Sequence, residues 1–137
     1  MPSVIFRASG NDFDPSFLSG TGLNGDNIHL RGQKSKRGRK DFVYKDSGFS
    51  VDLGPDDHDD LGTQILAAMR FVQDYRDTIR SLKNLDDMRF DFGYSPRPDS
   101  VVQFDYLPPK FIKVCGELNI GIELSLYPPI SDEQNKG

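Results

Sequence analysis

From Asp59 to Asn84 the apolar residues Leu61, Ile65, Ala68, Met69, Val72, Tyr75, Ile79 and Leu82 recur at steps of three and four. That spacing draws one stripe along an α-helix. Gln64, Arg70, Gln73, Asp74, Asp77, Arg80 and Ser81 fall on the other side, so the helix is predicted to lie on a layer and face water behind. At about 1.5 Å per residue it would run roughly 35 Å, enough to cross a small sheet. Asp56, Asp57, Asp59 and Asp60 precede it and Arg76, Arg80 and Lys83 close it, which suits the helix dipole at both ends.

The layer beneath is predicted to be β-sheet. Val4, Phe6 and Ala8 alternate with Ile5, Arg7 and Ser9, the pattern of a strand with one face on a core. Asp14-Pro15 starts a short helix ended by Gly20 and Gly22, with Phe13 and Leu18 spaced as a hydrophobic staple. Asn27 to Leu30 is a short strand. Phe42 and Tyr44, then Phe49, Val51 and Leu53, flank Asp46-Ser47-Gly48 as a β-hairpin. Met88 to Tyr94 and Val102 to Tyr106 alternate as two further strands, and Pro108-Pro109 opens a third helix with Phe111, Ile112, Cys115 and Leu118 inward. Ile120, Ile122, Leu124 and Leu126 form the last strand, and residues 131–137 are predicted to fray.

Pro15-Ser16-Phe17-Leu18 with Gly22 echoes Pro109-Lys110-Phe111-Ile112 with Gly116. Two β-α-β units of like design imply an α+β fold: a mostly antiparallel sheet, helices on one face, and a pseudo-symmetric, ferredoxin-like (split β-α-β) arrangement around one long central helix. With 137 residues this is one domain over residues 1–130. Ten Phe and five Tyr without Trp make an aromatic core, each fully buried ring contributing roughly 1.5 to 3 kcal/mol. One cysteine excludes an internal disulfide, and no signal-like or membrane-length apolar run occurs, which together predict a cytoplasmic protein.

Charge is uneven. Six of the ten residues from Arg31 to Lys40 are basic, and the remaining chain carries eleven basic against twenty-one acidic residues. The segment 31–40 holds no apolar residue and is predicted to be a mobile loop. Lys34, Lys36, Arg37, Arg39 and Lys40 are the candidate contacts for nucleic acid or another polyanion, although no aromatic residue within the run would stack on bases. A solvated loop is the preferred reading of the run, ahead of polyanion contact.

Other motifs point to no chemistry. Gly20-Thr21-Gly22-Leu23-Asn24-Gly25 spells the GxGxxG of dinucleotide-binding loops, but it closes a helix rather than opening one. Asp56-Asp57-His58-Asp59-Asp60 lacks calcium-loop spacing and is explained by helix capping. Cys115 falls on an apolar stripe, His29 on a short strand and His58 in the acidic cluster, so no Cys-His or Ser-His-Asp set is suggested. No catalytic residue, cofactor or metal ligand is therefore predicted, and the chain reads as non-enzymatic.

The order Phe6-Arg7-Ala8-Ser9-Gly10, Phe13-Asp14-Pro15, Gly22-Leu23, Arg31-Gly32, a basic loop, an aromatic strand around Phe49, a long amphipathic helix, and Leu118-Asn119-Ile120-Gly121-Ile122 with Leu126-Tyr127 resembles the bacterial family of domain of unknown function 4279. The resemblance spans Val4 to Tyr127, with Phe49 where that family is expected to carry Trp and Asn24-Gly25 where it is expected to carry Pro. It implies a small intracellular bacterial protein and carries over no catalytic residue. By analogy with small acidic immunity proteins, it suggests a module that binds a protein partner through an exposed sheet face or an acidic surface. Polyanion binding through the basic loop is the second reading.

Overall fold

β1 (Ser3–Gly10) holds the middle of the sheet, because its neighbours on both sides present matching apolar alternation. The computed structural model describes residues 2–23, 27–34, 42–54, 60–99 and 101–128. In it, β2 (Asn27–His29), β3 (Ser47–Gly54), β4 (Asp87–Tyr94) and β5 (Gly121–Leu126) join β1 in one open sheet of order β2-β3-β1-β4-β5. β1 pairs antiparallel with β3 and β4, β2 pairs antiparallel with β3, and β4 pairs parallel with β5. The fold is α+β with a mostly antiparallel sheet.

Register explains the core. Phe6 lies opposite Phe90 on one side and Val51 on the other, Val4 opposite Phe92, and Ala8 opposite Phe49. All these side chains stand on one face, and Val4, Phe6, Ala8, Phe49, Phe90 and Phe92 are at most 2% exposed. Helix α1 (Leu61–Ser81) brings Phe71 to 4.9 Å from Phe6, ring centre to ring centre. Helix α2 (Pro109–Leu118) brings Phe111 to 5.9 Å from Phe90 and 5.7 Å from Phe92. Both helices therefore cover the same face, and the Arg76–Glu117 ion pair at 3.1 Å joins them.

The helix ends are built as the sequence implies. Asp60 caps α1 by accepting from the Thr63 N–H at 2.9 Å. Asp14 accepts from the Ser16 N–H at 3.0 Å, a bond that holds its carboxyl below the usual range, while Pro15 starts a 3-10 helix, Pro15–Leu18. Phe13 and Leu18 are both buried.

Several expectations are corrected. The Pro15 unit is one 3-10 turn, whereas Pro109 opens ten residues of α-helix, so the described residues contain two α-helices rather than three. Gly22 follows its turn with φ +80°, while Gly116 lies inside α2, so the two echoing glycines do different work. Asp46-Ser47-Gly48 is not a hairpin connection: β3 begins at Ser47, its hairpin partner is β2, and Val43 makes only an isolated bridge to Lys34. Val102 to Tyr106 is not a strand. The predicted polar-face Gln64 is fully buried, its side-chain amide donating to the Gly93 carbonyl at 2.8 Å, and Phe71 takes a core place instead. Ile112, placed inward by spacing, is half-exposed. The long helix is also kinked, with Tyr75 at φ −123° and ψ 17°.

Candidate interaction surface

The segment between β4 and α2 breaks the usual rule for apolar side chains. Val101, Val102, Phe104 and Tyr106 are exposed, Phe104 at 76% and Tyr106 at 71%. The polar residues between them hold the chain. Gln103 Oε1 accepts from the Arg97 N–H at 2.7 Å, and the Gln103 side-chain amide donates to the Asp105 carboxylate at 3.1 Å. Asp105 stands by the Tyr94 phenol, whose pKa is pushed up to about 12 by burial and then by that carboxylate. The alternation that would bury a strand here buries nothing: Gln103 alone is partly covered, and Phe104, Asp105 and Tyr106 are all exposed.

The segment leaves the sheet where β4 and β5 both end. Tyr94 lies opposite Leu126, and the Tyr127 N–H donates to the Tyr94 carbonyl at 3.0 Å. Leu126 and Tyr127 are each half-exposed, so this end of the sheet displays apolar groups from two stretches of chain.

The sheet face away from the helices is polar. Arg7 lies directly opposite Arg89, and each charge is met by a carboxylate. Arg89 grips Asp87 through two nitrogens at 2.7 and 3.0 Å and reaches Glu123 at 2.9 Å, contacts that raise its pKa further. Asp91 meets Arg7 at 3.5 Å and accepts from the Ser125 hydroxyl at 2.6 Å. With Asp52 added, this face is acidic on balance.

Of the predicted polyanion contacts, Lys34 sits at its bridge to Val43, while Lys36, Arg37, Arg39 and Lys40 lie outside the described residues. So do Asn24 and Gly25, the acidic cluster except Asp60, and residues 131–137. Cys115 is buried and its thiol is pushed up to about 11 by burial, which holds it protonated and poorly nucleophilic. His29 stacks on Tyr44 at 4.4 Å and its Nε2 lies 3.1 Å from Asp46. Among the described residues no group of His, Cys, Asp and Glu is arranged to hold a metal ion, and no helix is long and apolar enough to cross a membrane. A groove along α1 and α2 is lined by Leu66, Arg70, Lys110 and Val114 together with the core residues Ile65, Val72 and Phe111.

Sequence reading named an exposed sheet face or acidic surface without its residues, and it missed the exposed segment Val101 to Tyr106. The charges at Arg7, Arg89, Asp91 and Glu123 were legible on the polar side of three strands, and their register supplies the pairing. The exposure of Phe104 carried no signal, since its alternation is that of a buried strand. Comparison with protein-family models, curated proteins and solved structures returns no match to this chain.

Proposed function

We propose that this is a non-enzymatic protein-binding module whose contact element is the segment Val101 to Tyr106. The observation that carries the reading is the outward display of Phe104 and Tyr106 on a segment pinned by Gln103 and Asp105. Aromatic side chains held in place before binding lose little freedom on association and dominate contact energies where they are buried by a partner. The acidic sheet face suits a partner with basic groups, as an immunity-like role against a basic toxin would require. The resemblance to the family of domain of unknown function 4279 supports a small intracellular bacterial protein. The passage of α1 from β3 to β4 across β1 supports a ferredoxin-like kinship for that half of the sheet.

Polyanion binding through Lys34, Lys36, Arg37, Arg39 and Lys40 is the second reading, and it rests on the local basic density. Affinity capture from source-cell extract with three baits separates the two. Under the first reading, a captured protein is lost with Phe104→Ser/Tyr106→Ser and kept when residues 34–40 are deleted. Capture lost only on that deletion, or on nuclease treatment, would favour the second.

A further inference from the structure

β5 ends the sheet and has few of the devices that usually protect an edge. It is six residues long, regular in register with β4, and free of proline and lysine. Its single charge, Glu123, is drawn inward to Arg89 at 2.9 Å. The opposite edge strand, β2, is only three residues long.

The direction of each β5 amide follows from one hydrogen bond. The Tyr127 N–H donates to Tyr94 on β4, and backbone groups alternate sides along a strand. Gly121, Glu123 and Ser125 therefore direct their N–H and C=O groups toward β4, and Ile122, Leu124 and Leu126 direct theirs away from it. The outward groups belong to the residues whose side chains lie on the helix-covered face, where Leu124 is 43% and Leu126 50% exposed.

We infer that β5 pairs antiparallel with β5 of a second copy, about a two-fold axis perpendicular to the sheet at Leu124, making one ten-stranded sheet. A two-fold of this kind keeps each face on its own side, so only two central registers arise, one on Glu123 and one on Leu124. Centring on Glu123 sets two carboxylates side by side and leaves the outward groups of Leu126 without partners on the facing strand. Centring on Leu124 pairs Leu124 with itself and Ile122 with Leu126, so all the outward N–H and C=O groups are satisfied. It also places each Glu123 across from Ser125 rather than from its own copy. Self-pairing in this register is electrostatically permitted, and it joins the half-exposed Leu124 side chains over a continuous apolar face. The inference does not rest on Phe104 or Tyr106, and its tests change only β5, so its failure is distinguishable from failure of the reading above.

Sedimentation equilibrium of the full chain from about 1 to 100 μM tests it, a range that brackets moderate dimer affinities. The expected result is a mass rising toward twice the 15.4 kDa of the chain. Leu124→Pro should remain at the single-chain mass with an unchanged far-ultraviolet circular dichroism spectrum, because that N–H faces away from β4 and the inner ladder keeps its bonds. Leu124→Lys, which sets two ammonium groups on the axis, should do the same should proline disturb the strand. For the register, Leu124→Cys should oxidise to a covalent dimer, since directly opposed residues lie about 5.5 Å apart, and Glu123→Cys should not. A single-chain mass at every concentration, a dimer that survives both Leu124 variants, or preferential cross-linking through Glu123→Cys would overturn it.

Discussion

Gly93 and Tyr127 occupy the same space at the end of the sheet: a methyl group on Gly93 would lie 2.7 Å from the Tyr127 ring and 3.3 Å from the Ser3 carbonyl. Gly93 is therefore glycine because Tyr127 folds over it, not because the strand needs a bend. Gly93→Ala should lower stability by about 1 kcal/mol, and most of that loss should vanish in a Tyr127→Ala background. Urea denaturation of the four proteins in this cycle measures the coupling. Equal losses in both backgrounds would assign the effect to the backbone instead.

Phe6 is the ring on which the core converges, with Phe49, Phe71 and Phe90 at 5.9, 4.9 and 5.5 Å. Phe6→Ala should cost about 3 to 5 kcal/mol, a large share of the stability of a domain this size. Phe104→Ala should stay within about 0.5 kcal/mol of the parent in the same titration.

Burial of Cys115 makes an alkaline weakness. Its thiol is pushed up to about 11 in the folded chain, so the unfolded chain loses this proton first as pH rises from 9. The folded state then binds more protons than the unfolded one, and stability falls between pH 9 and 11. The loss should be on the order of 1 to 3 kcal/mol and should shrink in Cys115→Ala. Thermal melts from pH 7 to 11 check the slope, and Ellman's reagent should leave the native thiol unmodified at pH 8.

Asp91 supplies the carboxylate that meets Arg7, which lies opposite Arg89. Asp91→Ala should cost about 1 to 2 kcal/mol, since it also strips the Ser125 hydroxyl of its acceptor. The exposed pairs of Arg89 are worth less, and Arg89→Ala should cost under about 1 kcal/mol. In 1 M NaCl the Asp91→Ala deficit should narrow, because salt screens the Arg7 charge that the variant leaves without its partner.

The fold was legible where periodicity and burial agree. The stripe from Leu61 to Ile79, the alternation at Val4, Phe6 and Ala8, and the caps at Asp14 and Asp60 all act through local geometry, which adjacent residues determine. What local pattern cannot report is partnership. Val102 to Tyr106 alternates as well as β5 does, yet Gln103 and Asp105 are tied within the loop and toward Tyr94, so no ladder forms. Gln64 reads as a solvent-facing amide until the Gly93 carbonyl comes within reach from β4. The parallel pairing of β4 with β5 follows from α2 carrying the chain back between them, a long-range choice that neither strand encodes by itself.

Hydroxyl-radical footprinting tests most directly whether Phe104 and Tyr106 are free to receive a partner. In the isolated chain both rings should oxidise rapidly while Phe6, Phe49, Phe90, Phe92 and Phe111 stay protected, and the captured partner should shield Phe104 and Tyr106 alone among the reactive aromatics of that segment. Protection of Phe104 and Tyr106 in the isolated chain to the level of Phe90, or no change in their oxidation on complex formation, would contradict the account.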